Sequence, residues 1–272
     1  MTKYRDKKLQ AAFTLLELLV VIVIIALLAA ATTISINAVI EQAKRVSCAS
    51  NLRHLFLANT LYALDNGMYV PASRDLFGAN LTRWHGTRKN SRVPFNGAEG
   101  PLAPYLEGHM VRSCRSFRHF ETSNKANAFE AACGGYGYNA VGVGSLTCRI
   151  GMCFEANFEG MPPEDIADPS STIMFCDAAF PQPYGSNPKY LIEYSFAEPY
   201  HWVIFPGAES SFRADPSIHF RHNGRANVVW CDGHISSERL NVKAEDHFTR
   251  FKIGWFGTPD NSYFAPKPVQ EE

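Results

Sequence analysis

Residues 11–31 read AAFTLLELLVVIVIIALLAAA, and everything downstream follows from how this stretch is read. From Leu18 to Ala31 every side chain is apolar, and the run opens at Phe13 with a single charge, Glu17, inside it. Phe13 to Ala31 approaches the roughly 20 residues that cross a bilayer as a helix. Ahead of it Lys3, Arg5, Lys7 and Lys8 are opposed only by Asp6, the asymmetry of a targeting segment. A secretory signal peptide would be cut after the core, at Ala29-Ala30-Ala31. A plain signal anchor would simply stay in the membrane. Glu17 argues against both. An isolated carboxylate near the middle of a spanning helix costs on the order of 3 kcal/mol. In a first helical turn the unpaired N–H groups and the dipole favour an anion. A new amino terminus shortly before Glu17 is therefore expected.

Ala11-Ala12-Phe13-Thr14-Leu15-Leu16-Glu17, with the apolar residues after it, resembles the class III signal of type IV pilins and type II secretion pseudopilins. That resemblance implies a prepilin peptidase cutting between Ala12 and Phe13 and methylation of Phe13. It implies that Glu17 neutralises a neighbouring subunit's amino terminus during assembly, which gives a buried acid its partner. In this chain Ala12 stands where the family usually has Gly. The other partners implied are an assembly platform with its ATPase, further pilin-like subunits and the inner membrane. The topology implied is single-pass, with the carboxyl-terminal domain in the periplasm and assembly into a periplasmic or surface filament.

Beyond the signal, no Pro or Gly occurs before Gly67. Residues 13–66 are expected to form one helix, with its first half, about 13–34, transmembrane. Ile36, Val39, Ile40, Ala43 and Val46, then Leu52, Leu55, Phe56, Tyr62 and Ala63, recur at helical spacing, so residues 40–66 are expected to cover a core. Asp65-Asn66-Gly67 and Pro71 supply the stop. All 19 glycines and 16 prolines lie in 67–272, which reads as one β-rich domain with long loops. The fold class is α+β and pilin-like: a basic leader at 1–12, the long helix, and an antiparallel sheet domain. Residues 171–177 (STIMFCD) read as a buried strand, and 122–132 as a short helix. Residues 217–237 (SIHFRHNGRANVVWCDGHISS) read as a three-stranded meander turning at Asn223-Gly224 and Asp232-Gly233. His222 followed after nine residues by Asp232-Gly233 is similar to the H-x9-DG element found with prepilin-type signals in some bacterial lineages. Cys48-Ala-Ser-Asn51 and Tyr136-Gly-Tyr-Asn139 are similar to that group as well.

The chain carries 26 basic and 26 acidic residues, so nothing attracts it as a whole to nucleic acid. Arg83, Trp84, His85, Arg88, Lys89 and Arg92 mix charge with an aromatic, but the run is short and reads as a solvated loop, with no nucleic-acid partner expected. His219, His222, Cys231 and His234 have spacings near those of a zinc site. Strand periodicity sets 219 and 222 on opposite faces, so no metal is assigned. Glu164, Asp165, Asp168 and Asp177 leave calcium as an alternative that matches no defined loop. No nucleophile elbow, P-loop or HExxH helix occurs, and the chain is read as a non-enzyme. Of seven cysteines, Cys114 with Cys133 and Cys148 with Cys153 are local disulfide candidates, while Cys176 and Cys231 read as buried thiols. Two functions remain. The first is a structural pseudopilin-like subunit of a type II secretion system or related filament. The alternative is a membrane-tethered extracytoplasmic domain that binds a polysaccharide or protein.

Overall fold

The computed structural model describes residues 13–117, 130–153, 155–184, 188–203 and 211–265. The leader with Ala12, and most of the helix expected at 122–132, lie outside the described residues. Helix α1 runs Leu15–Asn66. It stops where Gly67, at φ 75°, donates its N–H to the Ala63 carbonyl at 2.8 Å. The chain divides into two compact units, one ending at Ala43 and the other beginning at Lys44.

In the first unit, the large apolar side chains from Phe13 to Leu28 are all exposed. Among the described residues no helix is long and apolar enough to cross a membrane. The crossing expected at about 13–34 extends into side chains at 31–35 that lie outside the described ones.

The second unit holds the core. Its part of α1 buries Cys48, Leu52, Leu55, Ala58, Asn59, Tyr62 and Ala63, a stripe at helical spacing. That stripe packs on Tyr136, Tyr138, Phe175 and Val229. The buried stripe begins later than the sequence pattern implies. Ile36, Val39, Ile40 and Val46 are exposed.

The sheet beneath is four-stranded and antiparallel, in the spatial order Ile235–Arg239, Arg225–Trp230, Ile173–Asp177, Tyr136–Tyr138. Val228 faces Cys176 across one pair, and Tyr136 faces Asp177 across another. The inner strand Ile173–Asp177 is buried throughout, as its apolar run requires. On the sheet's other face Ile173, Cys176, Val228 and Trp230 pack against Ile218, Phe220, Trp255 and Phe256.

Of the expected meander, both turns and the second strand pairing are present, and the first strand pairing is not. Asn223 and Gly224 both adopt positive φ, and His222 and Arg225 exchange backbone hydrogen bonds at 3.0 and 3.1 Å around them. Arg225–Trp230 then pairs with Ile235–Arg239 across Asp232-Gly233. The first strand, Ile218–His219, leaves for a second sheet and pairs with Ile253–Trp255 instead. A tight bend, Arg221 N–H to His219 carbonyl at 3.0 Å, diverts it and turns Arg221 inward.

The basic run at 83–92 is not a solvated loop. Arg83, Trp84, His85 and Arg88 are buried, and only Lys89 and Arg92 remain exposed. Arg83 pairs with buried Glu130 at 3.5 Å, and Trp84 donates to the Ser195 carbonyl at 2.7 Å. Those two bonds, with Arg88 Nε donating to the Asn80 carbonyl at 2.7 Å, offset part of the cost of burying these polar side chains.

Candidate functional site

Two constellations concern function, one in each unit. At the start of α1, Thr14 is the cap. Its Oγ1 accepts from the Glu17 N–H at 3.2 Å, while Glu17 Oε2 accepts from the Thr14 N–H and Oγ1–H, both at 2.9 Å. This reciprocal pair is a capping box, satisfying helix-end donors that water would otherwise serve. Phe13 lies just outside it, exposed.

The second constellation is a buried polar cluster between α1 and the sheet. Asp177 ends its strand with no exposure at all. Its Oδ1 accepts from Arg221 Nη2 at 2.7 Å and from the Cys48 thiol at 3.0 Å. Its Oδ2 accepts from the Asn227 N–H at 2.7 Å and lies 3.3 Å from His222 Nε2. His222 Nε2 is also 3.8 Å from Cys114 Sγ, and its Nδ1 is 3.5 Å from Ser116 Oγ. Cys48 Sγ lies 3.2 Å from the Tyr136 hydroxyl, which accepts from Asn51 Nδ2 at 2.9 Å. Arg221 is spent wholly inside, donating also to the Gly135 and Ala178 carbonyls.

Burial works against every charge here, and partners override it. Burial raises the Asp177 carboxyl, but Arg221 and then His222 hold it below the usual carboxylate range. Burial opposes an imidazolium at His222, yet hydrogen bonds to Asp177 and Cys114 raise it to about 9. The hydrogen bond from Cys48 draws Cys114 down to about 4 despite burial, with Arg221 and His222 assisting. Burial pushes the Cys48 thiol up.

The donor set Cys48, Cys114, Asp177 and His222 has all four ligand atoms within 4.8 Å of one another. None of the four is open to solvent, so none meets the access requirement of a nucleophile. The cluster recruits residues the sequence scatters: Cys48 and Asn51 from one short motif, Tyr136 from another, and His222.

Other sequence candidates are dispersed. His219 is buried beside Arg221, and Cys231 lies in the helix-side core. His234 bonds Asp232 on the surface at 2.7 Å, so the His219, His222, Cys231 and His234 quartet does not converge. The calcium candidates separate too. Glu164 is exposed, Asp165 pairs with Arg149, Asp168 accepts from Ser170 in its own turn, and Asp177 is in the cluster. All seven cysteines are free thiols, so the pairs Cys114–Cys133 and Cys148–Cys153 do not form in this structure. Cys114 is turned into the cluster, while burial near Glu193 raises the Cys133 thiol.

Asp232 and Gly233 do not touch His222. They form the turn at the opposite end of Arg225–Trp230, where Asp232 Oδ1 accepts from the His234 N–H at 2.9 Å. The Gly233 carbonyl accepts from Arg53 Nη1 of α1 at 2.6 Å. Gly233 has φ 87°, and a Cβ there would stand 2.6 Å from the Phe56 ring. One strand thus meets α1 at both ends, through the polar cluster and through this glycine turn.

Sequence reasoning missed Cys48, Cys114 and Arg221 as one group. The available signal was an aspartate closing an apolar strand, which demands a buried partner, and an Arg-His pair just before an Asn-Gly turn.

No curated protein and no solved structure matches the chain. One family description does, the prokaryotic N-terminal methylation motif, over residues 7–33. That span includes Phe13, Thr14 and Glu17, so the capping box lies inside a prepilin-type signal. The chain therefore joins that signal to a pilin-like arrangement, a long amino-terminal helix on antiparallel sheet.

Proposed function

We propose that this chain is a structural subunit of a filament of the type II secretion or type IV pilus kind, anchored in the inner membrane before assembly. Prepilin peptidase cuts between Ala12 and Phe13 and methylates Phe13. The processed helices pack side by side, and Glu17 of one subunit faces the Phe13 amino group of its neighbour. The sheet domain is held outside the inner membrane, and the assembly platform with its ATPase draws subunits into the filament.

The observation that carries this reading is an acid in the first turn of a helix whose large apolar side chains, Phe13 to Leu28, are uncovered. Thirteen such side chains, each worth about 1.5–3 kcal/mol when removed from water, require a bilayer or other copies around them. Mass spectrometry of membrane-purified protein tests the processing. The expected amino terminus is N-methylated Phe13. Retention of Met1, or cleavage after Ala30 or Ala31, overturns it.

A further inference from the structure

We propose that Cys48, Cys114, Asp177 and His222 form a structural zinc site that fastens α1 to the sheet domain. The four come from separate places: the helix, the loop after the 107–109 turn, the end of Ile173–Asp177, and the turn before Arg225. Two thiols, an imidazole and a carboxylate are a donor set suited to zinc, soft enough to disfavour calcium and magnesium. Neighbouring ligand atoms around tetrahedral zinc lie about 3.3–3.8 Å apart, given bonds of roughly 2.0–2.3 Å. The His222 Nε2 to Asp177 Oδ2 distance is 3.3 Å and the Cys114 Sγ to His222 Nε2 distance is 3.8 Å. The widest separation, at most 4.8 Å, needs to close by about 1 Å.

The charges close as well. Binding removes the Cys48 thiol proton and the one proton that Cys114 and His222 hold between them, and the two protons leave to solvent. Two thiolates and the Asp177 carboxylate then carry three negative charges, balanced by the divalent ion and the Arg221 guanidinium. Without Arg221, fully buried on Asp177, such a site would leave a net charge inside the protein. His222 binds through Nε2 as neutral imidazole, and its Nδ1–H points to Ser116 Oγ, the usual way a ligand ring is oriented. The Tyr136 hydroxyl, itself fixed by Asn51, donates to the Cys48 thiolate.

The proposal does not depend on filament assembly. Its test is metal analysis of the full-length chain, purified in detergent under reducing conditions. The expected result is about one zinc per chain, removed by a strong chelator with a fall in melting temperature and restored by Zn²⁺ alone. Replacing zinc with Co²⁺ should give tetrahedral ligand-field bands with thiolate-to-cobalt charge transfer. Cys114→Ser should weaken that charge transfer, and His222→Ala should lower zinc affinity about tenfold or more. Cobalt spectra of the unmutated chain keep the test independent of whether a variant folds. Two results overturn the site: no zinc after equilibration with Zn²⁺ while the thiols are reduced, or an intact mass showing Cys48 and Cys114 joined as a disulfide in the native protein.

Discussion

At Glu17 a carboxylate has two physical uses, and a single pair of substitutions separates them. Within one chain it closes the capping box with Thr14 and so supports the start of the helix. Between chains it would meet a neighbour's amino group. Gln can serve a capping box as well as Glu, but carries no charge. If charge pairing governs assembly, Glu17→Gln stops filament formation as completely as Glu17→Ala, while both variants still enter the membrane. If the cap is what matters, Gln assembles and Ala does not. Sheared-filament yield beside alkaline extraction of membranes reads the two properties separately. Glu17 could be singled out from sequence because its surroundings are uniform: one charge in an apolar run has few explanations. Asp177 was harder. It was visible as an acid, yet its partners Arg221, His222 and Cys48 are remote in sequence, and no local spacing relates them.

The docking of α1 depends on a turn as much as on the apolar stripe. Gly233 holds a left-handed φ directly against Phe56, while its carbonyl takes the Arg53 hydrogen bond. Gly233→Ala meets two costs, a disfavoured backbone region and overlap with an aromatic ring, together about 2–4 kcal/mol. Thermal unfolding should show the loss, and adding Phe56→Ala should recover the steric part but not the backbone part. If Gly233→Ala and the double variant were equally destabilised, the ring contact would be irrelevant. The helix, its stop at Gly67, the strand at 173–177 and the turn at Asp232-Gly233 were all legible, because each is encoded by local periodicity or turn chemistry. The path of Ile218–His219 was not. Sequence adjacency favours a hairpin, and only the inward turn of Arg221 to Asp177 explains why the strand joins another sheet.

Across the whole molecule, burial and exposure divide sharply along the chain. Among the described residues the earliest core residue is Cys48, and every buried apolar side chain lies between it and Phe264. No described side chain in 13–43 is buried, and the large apolar ones described there are exposed. The same boundary separates the two compact units. A chain shortened to begin at Lys44 should therefore fold without detergent, as a monomer, with a melting temperature within a few degrees of the full-length protein. The one loss expected is fraying of the new first turn, which holds Arg45 and its carbonyl's bond from Asn227. That loss corresponds to about 1 kcal/mol, or roughly 2–4 °C for a domain of this size. Light scattering and a thermal melt decide the matter. A well-folded monomer assigns the amino-terminal helix to partners outside the chain. An aggregated or unfolded product would instead mean that residues 13–43 support the domain itself, and the division between an assembly helix and an autonomous sheet domain would have to be given up.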